Sequence, residues 1–253
     1  MSGFFAGIAA WFQAGWTRLS DQFYTAFIED NRWKYVVQGL GNTLKLTFFA
    51  LLVGLAIGIV VAIVRSVWDK NGRLMRKGPG RAALGFLNGI FQVYLTVVRG
   101  TPVVIQIMII YYIIMGSSSN KLLAGVVAFG INSGAYVAEI IRAGIMSIDQ
   151  GQTEAGRSLG LSFTQTMWNI VLPQAFKNVL PPLANEFIVL LKETAVAGYV
   201  ATVDLTMAVN MIRGVTYQAF MPLVGAALIY LSIFLIFTWL IGILERRLRA
   251  SER

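Results

Sequence analysis

The sequence predicts an all-α, polytopic membrane protein with five transmembrane helices, its N-terminus outside and its C-terminus in the cytoplasm. Three observations carry this. Hydrophobic residues make up 57% of the 253 and charged residues only 13%, against about 25% charged in soluble domains. Five apolar stretches approach or exceed the roughly 20 residues that cross a bilayer. Basic residues gather beside those stretches, the pattern that sets orientation in a membrane.

The chain divides at its first long apolar run. Residues 1–35 combine Trp11, Phe12, Trp16, Phe23, Tyr24 and Phe27 with Arg18, Asp21, Glu29 and Asp30. That mixture is too polar to span and predicts an amphipathic helix lying in the membrane interface. Met1 to Ala10 has no basic n-region and does not read as a cleaved signal peptide. Residues 36–245 hold the spans, and 246–253 form a basic cytoplasmic tail.

The spans follow in order. The first is Val36 to Val64, with Lys45 as its one interior charge, placed to snorkel to the interface. The second runs from Ala82 to Met115, interrupted by Arg99-Gly100-Thr101-Pro102. The third is Leu122 to Ile141. The fourth, Ala175 to Val200, is weakened by Lys177, Pro181, Pro182, Glu186 and Lys192; Lys192 and Glu193 read as a gate or a subunit contact. The fifth, Met221 to Leu244, is the cleanest. Arg65, Lys70, Arg73, Arg76, Lys77 and Arg81 follow the first span, and Arg246, Arg247, Arg249 and Arg253 follow the fifth. Both clusters belong in the cytoplasm. The loops 116–121 and 201–220 have only Lys121 and Arg213 as basic residues, so they belong outside. An odd number of spans satisfies every loop and puts 143–174 in the cytoplasm.

Composition removes several kinds of chemistry. Without cysteine or histidine there is no disulfide, no thiolate or imidazole metal site and no imidazole acid–base catalysis. No metal site and no catalytic residue is expected. The net charge of +9 reads as a topology signal rather than a nucleic-acid surface. GxxxxGK[ST] does not occur, so any uphill transport draws its energy from another chain. Neither short repeats nor inverted halves are visible.

The polar stretch TEAGRSLGLSFTQTMWNIVLPQA, Thr153 to Ala175, reads as helix, turn, helix, stop. Thr153 or its neighbours cap the first helix, Gly160 ends it, Ser162 opens the second, and Leu172-Pro173 closes that. Leu159, Leu161 and Phe163 are then available to a partner. The alternative is a loop that only joins two spans.

Its spacing resembles the signature loop of bacterial ATP-binding-cassette importer permeases. Glu154-Ala155-Gly156, three residues, Gly160, nine residues and Ile170-Val171-Leu172-Pro173 are similar to that family's E-A-A, three, G, nine, I-x-L-P. Gly156 stands where the family has Ala, and Gly weakens a helix by about 1 kcal/mol. GNTLKLTFFALLVGLAIGIVVAIVR (41–65), VRGTPVVIQIMIIYY (98–112), SGAYVAEIIRAGI (133–145) and LLKETAVAG (190–198) resemble the polar amino acid uptake branch, the histidine, glutamate, glutamine and opine group. The resemblance covers about Val37 to Leu244. It implies an importer-type permease fold with five spans and residence in the bacterial plasma (inner) membrane. It also implies a coupling loop over 148–174 that docks on an ATPase. The partners it implies are two ATP-binding subunits, a second permease subunit of the same or another kind, and an extracytoplasmic substrate-binding protein. No cofactor sits on this chain; ATP and Mg belong to the ATPase.

Two sets of residues are candidates for the substrate path. Asn132, Tyr136 and Glu139 fall on one face of the third span at i, i+4 and i+7. They offer an amide, a phenol and a carboxylate able to receive an α-ammonium. The alternative is that Glu139 pairs with Arg142 at i+3. At the interruption, Gly100 and Pro102 free backbone groups near Thr101, and Gln106 lies one turn on. The alternative there is a kink for packing. A self-contained channel or ion-coupled carrier is the second functional reading. An intramembrane enzyme lacks the His, Cys or paired Asp that such chemistry uses.

Overall fold

A computed structural model describes residues 2–72, 75–116, 120–200 and 202–250. Arg73 and Arg253 of the basic clusters, and positions 117–119 of the expected 116–121 loop, lie outside the described residues. Among the described residues the regular structure is entirely helical.

Helix α1 (Ser2–Phe23) runs into a π turn, Tyr24–Ile28, and a short 3-10 turn, Glu29–Asn31. Asp30 and Asn31 take left-handed φ values of 52° and 57° there, which these two residue types tolerate better than most. Arg32 holds this break by binding the Glu29 carboxylate at 3.0 Å, the Asp30 carboxylate at 2.6 Å and the Thr25 carbonyl. Helix α2 (Trp33–Asn71) has 39 residues and is about 58 Å long. It outruns the roughly 30 Å hydrocarbon layer, so the helix continues past the expected end at Val64 through Arg65 and Lys70.

Helix α3 (Pro79–Gly100) starts on a proline, whose missing N–H costs nothing in a first turn. It ends at Thr101 and Pro102, both extended. Helix α4 (Val103–Ile109) and a π turn, Ile110–Ile114, follow. The expected second span, Ala82 to Met115, is therefore one full-length helix plus a short apolar one. The cause is Pro102, which can neither donate to the helical ladder nor let its predecessor stay helical.

Helix α5 (Lys121–Met146) opens with Asn120 accepting from the Leu123 N–H at 3.0 Å. Helices α6 (Gln150–Ser158) and α7 (Phe163–Thr166), then a π turn, Met167–Val171, lead into α8 (Leu172–Glu193). After a 3-10 segment, Thr194–Val200, come α9 (Leu205–Thr216) and α10 (Phe220–Ala250). The expected external loop 201–220 thus contains a helix. Asp204 caps α9 through the Thr206 and Met207 N–H groups, each at 3.0 Å. Its buried side, Leu205, Ala208, Val209 and Ile212, faces α2, where a Cβ on Gly39 would fall 2.7 Å from the Asp204 carbonyl oxygen.

Four helices are each long and apolar enough to cross a membrane: Trp33–Lys70, Pro79–Gly100, Lys121–Met146 and Phe220–Leu248. The segments Phe163–Val200 and Leu205–Thr216, bent by 50°, make the fifth if taken as one broken span. The core of the bundle is the contact of α2 with α5. The two run parallel: Leu46 meets Gly125, Val53 meets Gly130, Ile57 meets Gly134 and Gly58 meets Val137. Two parallel spans need one crossing between them, and α3 supplies it.

That contact depends on missing side chains. A Cβ at Gly58 would lie 2.5 Å from the Val137 side chain, and one at Gly130 would lie 2.6 Å from Val53. Gly54 and Gly58, and Gly130 and Gly134, each have the small-xxx-small spacing that lets helices approach within lipid. Around it pack Leu46, Ala50, Ala128 and Phe129, all essentially buried. Gly58→Leu is expected to reduce the detergent-extracted, monodisperse transporter and its melting temperature, in line with the roughly 1–3 kcal/mol that overpacking costs. Gly89→Ala, whose added methyl meets nothing, is the matched control and should behave as wild type in size-exclusion and thermal-melt measurements.

Candidate functional site

The expected path residues form two neighbouring clusters. The first clasps the break between α3 and α4. Gln106 donates from its amide to the Val98 carbonyl at 2.7 Å and to the Thr101 carbonyl and hydroxyl at 3.0 and 2.7 Å. Its own oxygen accepts from Asn132 on α5 at 2.9 Å. Carbonyls freed by Pro102 are thus satisfied by a side chain, as backbone at membrane depth requires. Gln106 and Asn132 tie the break to α5, and their facing groups are spent on each other. The Asn132 Oδ1 is buried and has no hydrogen-bond partner among the described residues.

The second cluster is ionic. The Glu139 carboxylate meets Arg142 at 3.0 Å, and Arg142 also meets Asp69 of α2 at 3.2 Å. Arg99, at the end of α3, stands 3.9 Å from Glu139 and 5.9 Å from the centre of the Tyr136 ring. Three helices are joined by this chain of charges. Beside it lies an open pocket of about 390 Å³, lined by Arg65, Gln92, Thr96, Arg99, Gly100 and Glu139. Of the sequence candidates, Gly100 and Glu139 share this pocket, Tyr136 borders it through Arg99, and Thr101, Gln106 and Asn132 belong to the clasp. The i+3 ion pair of Glu139 is formed.

Sequence reasoning used Arg65 as a topology signal and Arg99 as part of the span interruption, and did not name Asp69. Their signal was charge at the ends of apolar spans, which topology already explained. Glu186 of α8, named in the sequence only as a charge weakening the fourth span, is 6% exposed and accepts a 2.8 Å hydrogen bond from Ser133 of α5.

The polar stretch is a built element. Asp149, not Thr153, caps α6, accepting from the Gly151 N–H at 2.6 Å. The helix therefore starts before the motif. At its end Gly160 takes φ +83°. The Gly160 N–H reaches the Arg157 carbonyl at 3.0 Å and the Leu161 N–H reaches the Gly156 carbonyl at 3.1 Å, the Schellman closure. Ser162 and Gln165 form a capping box at 3.3 and 2.8 Å. Gly160 as the stop and Ser162 as the restart are where the sequence puts them.

Two expectations are corrected. Leu172-Pro173 does not end the second helix: Leu172 is helical at φ −64° and ψ −40°, and the chain passes through the π turn straight into α8. A widened turn absorbs what proline removes from an α ladder. Gly156 is more than a weaker Ala. It is buried, and a Cβ there would fall 2.6 Å from the Thr166 methyl and 3.1 Å from Ile170. Its bareness lets α6 sit down on α7 and the π turn. Outside, Glu154, Ala155 and Pro173 are exposed, Leu159 is 81% exposed, and Leu161, Phe163 and Leu172 are half-buried. Trp168, 68% exposed, extends this apolar surface and was not anticipated.

This architecture has relatives. The arginine transport system permease protein ArtQ of Bacillus subtilis is 35% identical over 227 residues, covering 86% of this chain and 94% of ArtQ. The L-cystine transport system permease protein TcyB of the same organism is 30% identical over 224 residues, 87% and 89% of the two chains. A crystal structure of an amino acid ABC transporter with histidines matches with a TM-score of 0.75 at 39% identity, over 87% of this chain and 98% of that one. Residues 78–250 match the model of the binding-protein-dependent transport system inner membrane components. The chain belongs to that family, as a multi-pass component of the bacterial inner membrane.

Proposed function

We infer that the chain is the permease subunit of an ATP-driven importer of polar amino acids, forming part of the path and working by alternating access. The observation that carries this is the exposed element at 149–171, capped at both helix starts, stopped by Gly160 and showing Leu159 and Trp168 to solvent. A mere connector needs no Schellman stop, capping box and buried Gly156 in succession. The relatives named for arginine, for L-cystine and for amino acid transport support the substrate class. Its partners are two copies of an ATP-binding subunit carrying ATP and Mg, a second permease subunit, and an extracytoplasmic binding protein. The basic clusters support a cytoplasmic C-terminus and an external N-terminus.

The continuity of α7, the π turn and α8 gives the coupling a mechanical route. Force on Leu159 moves α6, which is packed through Gly156 on Thr166. That moves α8 without a hinge at Pro173, and α8 is bonded to α5 through Glu186 and Ser133. Helix α5 carries Asn132, Tyr136 and Glu139. No covalent chemistry is involved. The ionic chain of Asp69, Arg142, Glu139 and Arg99 crosses three helices at the pocket. A zwitterion entering there meets a carboxylate and two guanidiniums, those of Arg65 and Arg99.

Glu154→Ala and Gly160→Val are expected to lower amino acid uptake and substrate-stimulated ATP hydrolysis at least about tenfold, a loss of roughly 1.4 kcal/mol in coupling, with normal insertion in the membrane. Wild-type uptake contradicts the coupling role. Gly156→Ala should weaken co-purification of the ATPase by crowding Thr166, and adding Thr166→Ala, which removes both the methyl at 2.6 Å and the hydroxyl at 2.9 Å, should restore it. For Glu139→Gln, uptake measured across a panel of amino acids should show a raised Michaelis constant. An unchanged constant removes Glu139 as a ligand and leaves it the ion-pair role.

A further inference from the structure

A helix resting on a protein body buries its apolar stripe and shows its polar one. Helix α1, which lies outside the matched residues 78–250, leaves its apolar stripe uncovered. Phe12, Trp16, Leu19 and Phe23 share one face at i, i+4, i+7 and i+11, and they are 65%, 75%, 41% and 50% exposed. On the opposite face, Thr17, Arg18, Asp21 and Gln22 line an open cleft whose other wall includes Gln218, in the turn before α10. Thr17, Arg18 and Asp21 are exposed as well, so the body covers neither stripe and the aromatic one is open to another occupant.

The aromatic stripe continues into surface that faces hydrocarbon. Phe23 contacts Phe27 with ring centres 5.3 Å apart. Phe27 lies on the bare backbone of Gly225 in α10, where a Cβ would fall 2.6 Å from its ring. It packs with the buried cluster of Ala26, Val36, Leu205 and Ala226. From there Val224, Leu228, Leu231 and Leu235 of α10, all exposed and on one face at i, i+4, i+7 and i+11, carry the apolar surface along a helix long and apolar enough to span.

We propose that α1 lies flat on the bilayer at the Phe220 end of α10, with Phe12, Trp16, Leu19 and Phe23 set into the boundary between headgroups and acyl chains. The occupant of the stripe is lipid because the stripe is continuous with the lipid-facing flank of α10. Arg18 and Asp21 cancel in charge, so attachment rests on burying aromatic side chains rather than on attraction to anionic headgroups, and salt does not release it. Assignment to the outer leaflet rests on the five-span orientation; the depth of the stripe does not.

Because this chain has no cysteine, each variant carries a single labelling site on it. Spin labels go on Phe12→Cys, Trp16→Cys, Thr17→Cys and Asp21→Cys, one at a time, in the complete transporter in phosphatidylcholine vesicles. Oxygen and a water-soluble nickel chelate then report depth. Labels at 12 and 16 are expected to be relaxed more by oxygen and those at 17 and 21 more by nickel, with no change at high salt. Stronger relaxation by nickel at 12 and 16 overturns the proposal. So does spin–spin broadening at those positions, which would mean a second copy covers the stripe, or protection that appears only when the binding protein is added. Uptake by the same vesicles, measured alongside, tests the importer reading independently. Access of the chelate to 17 and 21 only from the cytoplasmic side in oriented membranes overturns the outer-leaflet placement.

Discussion

Everything in this molecule hangs on how closely α2 and α5 approach. Inside a bilayer the hydrophobic effect does not press helices together, because lipid is as apolar as the side chains. Association must come from packing and from polar contacts. The bare positions Gly54 and Gly58, set against Ser133 and Val137, and Gly130 and Gly134, set against Val53 and Ile57, bring two backbones into van der Waals contact in parallel. That contact fixes the height of α5. It therefore fixes the level at which Asn132 meets Gln106 and at which Glu139 and Arg142 meet Asp69 and Arg99.

The other half of the structure is built to transmit. The first short helix before α8 is closed at both ends by local chemistry, Asp149 and the turn at Gly160, and the second is opened by the box of Ser162 with Gln165. Neither helix is long enough to be stable alone in water. What stiffens them is Gly156 against Thr166 and the unbroken run from α7 through the π turn into α8. A proline at that point would usually mark a hinge. Here the wide turn keeps the helix going, so the exposed Leu159 and the buried Glu186 belong to one connected body. The hydrogen bond from Ser133 to Glu186 then delivers its motion to the helix that lines the pocket.

How far the sequence reveals this varies with the range of the cause. The spans were legible because a bilayer forces long apolar helices, whatever their neighbours. Gly160 and Ser162 were legible because a positive φ and a capping box are set within four residues. Asp149 was missed because the true cap precedes the motif that drew the eye. Pro173 misled because the rule against proline assumes an α ladder, and a π turn is a different ladder. Helix α9 was missed because it buries only one side, against α2, and its surroundings read as a loop. The glycine contacts of α2 with α5, the clasp by Gln106 and the chain of Arg99, Glu139, Arg142 and Asp69 each join residues far apart in sequence. No local pattern announces them. Gly156 shows the two ranges colliding: locally a weaker Ala, in the fold the position that lets two helices meet.

The central claim is that the element at 149–171 and α8 move as one body. The direct measurement is the distance between spin labels at Arg157→Cys and Asn185→Cys, both exposed, in the assembled transporter, with and without ATP and with hydrolysis arrested. The account predicts that this distance stays constant, while the distance between labels at Leu159→Cys on the two permease subunits changes. A change within one chain, with the distance between subunits fixed, would place a hinge between Arg157 and Asn185 and contradict it.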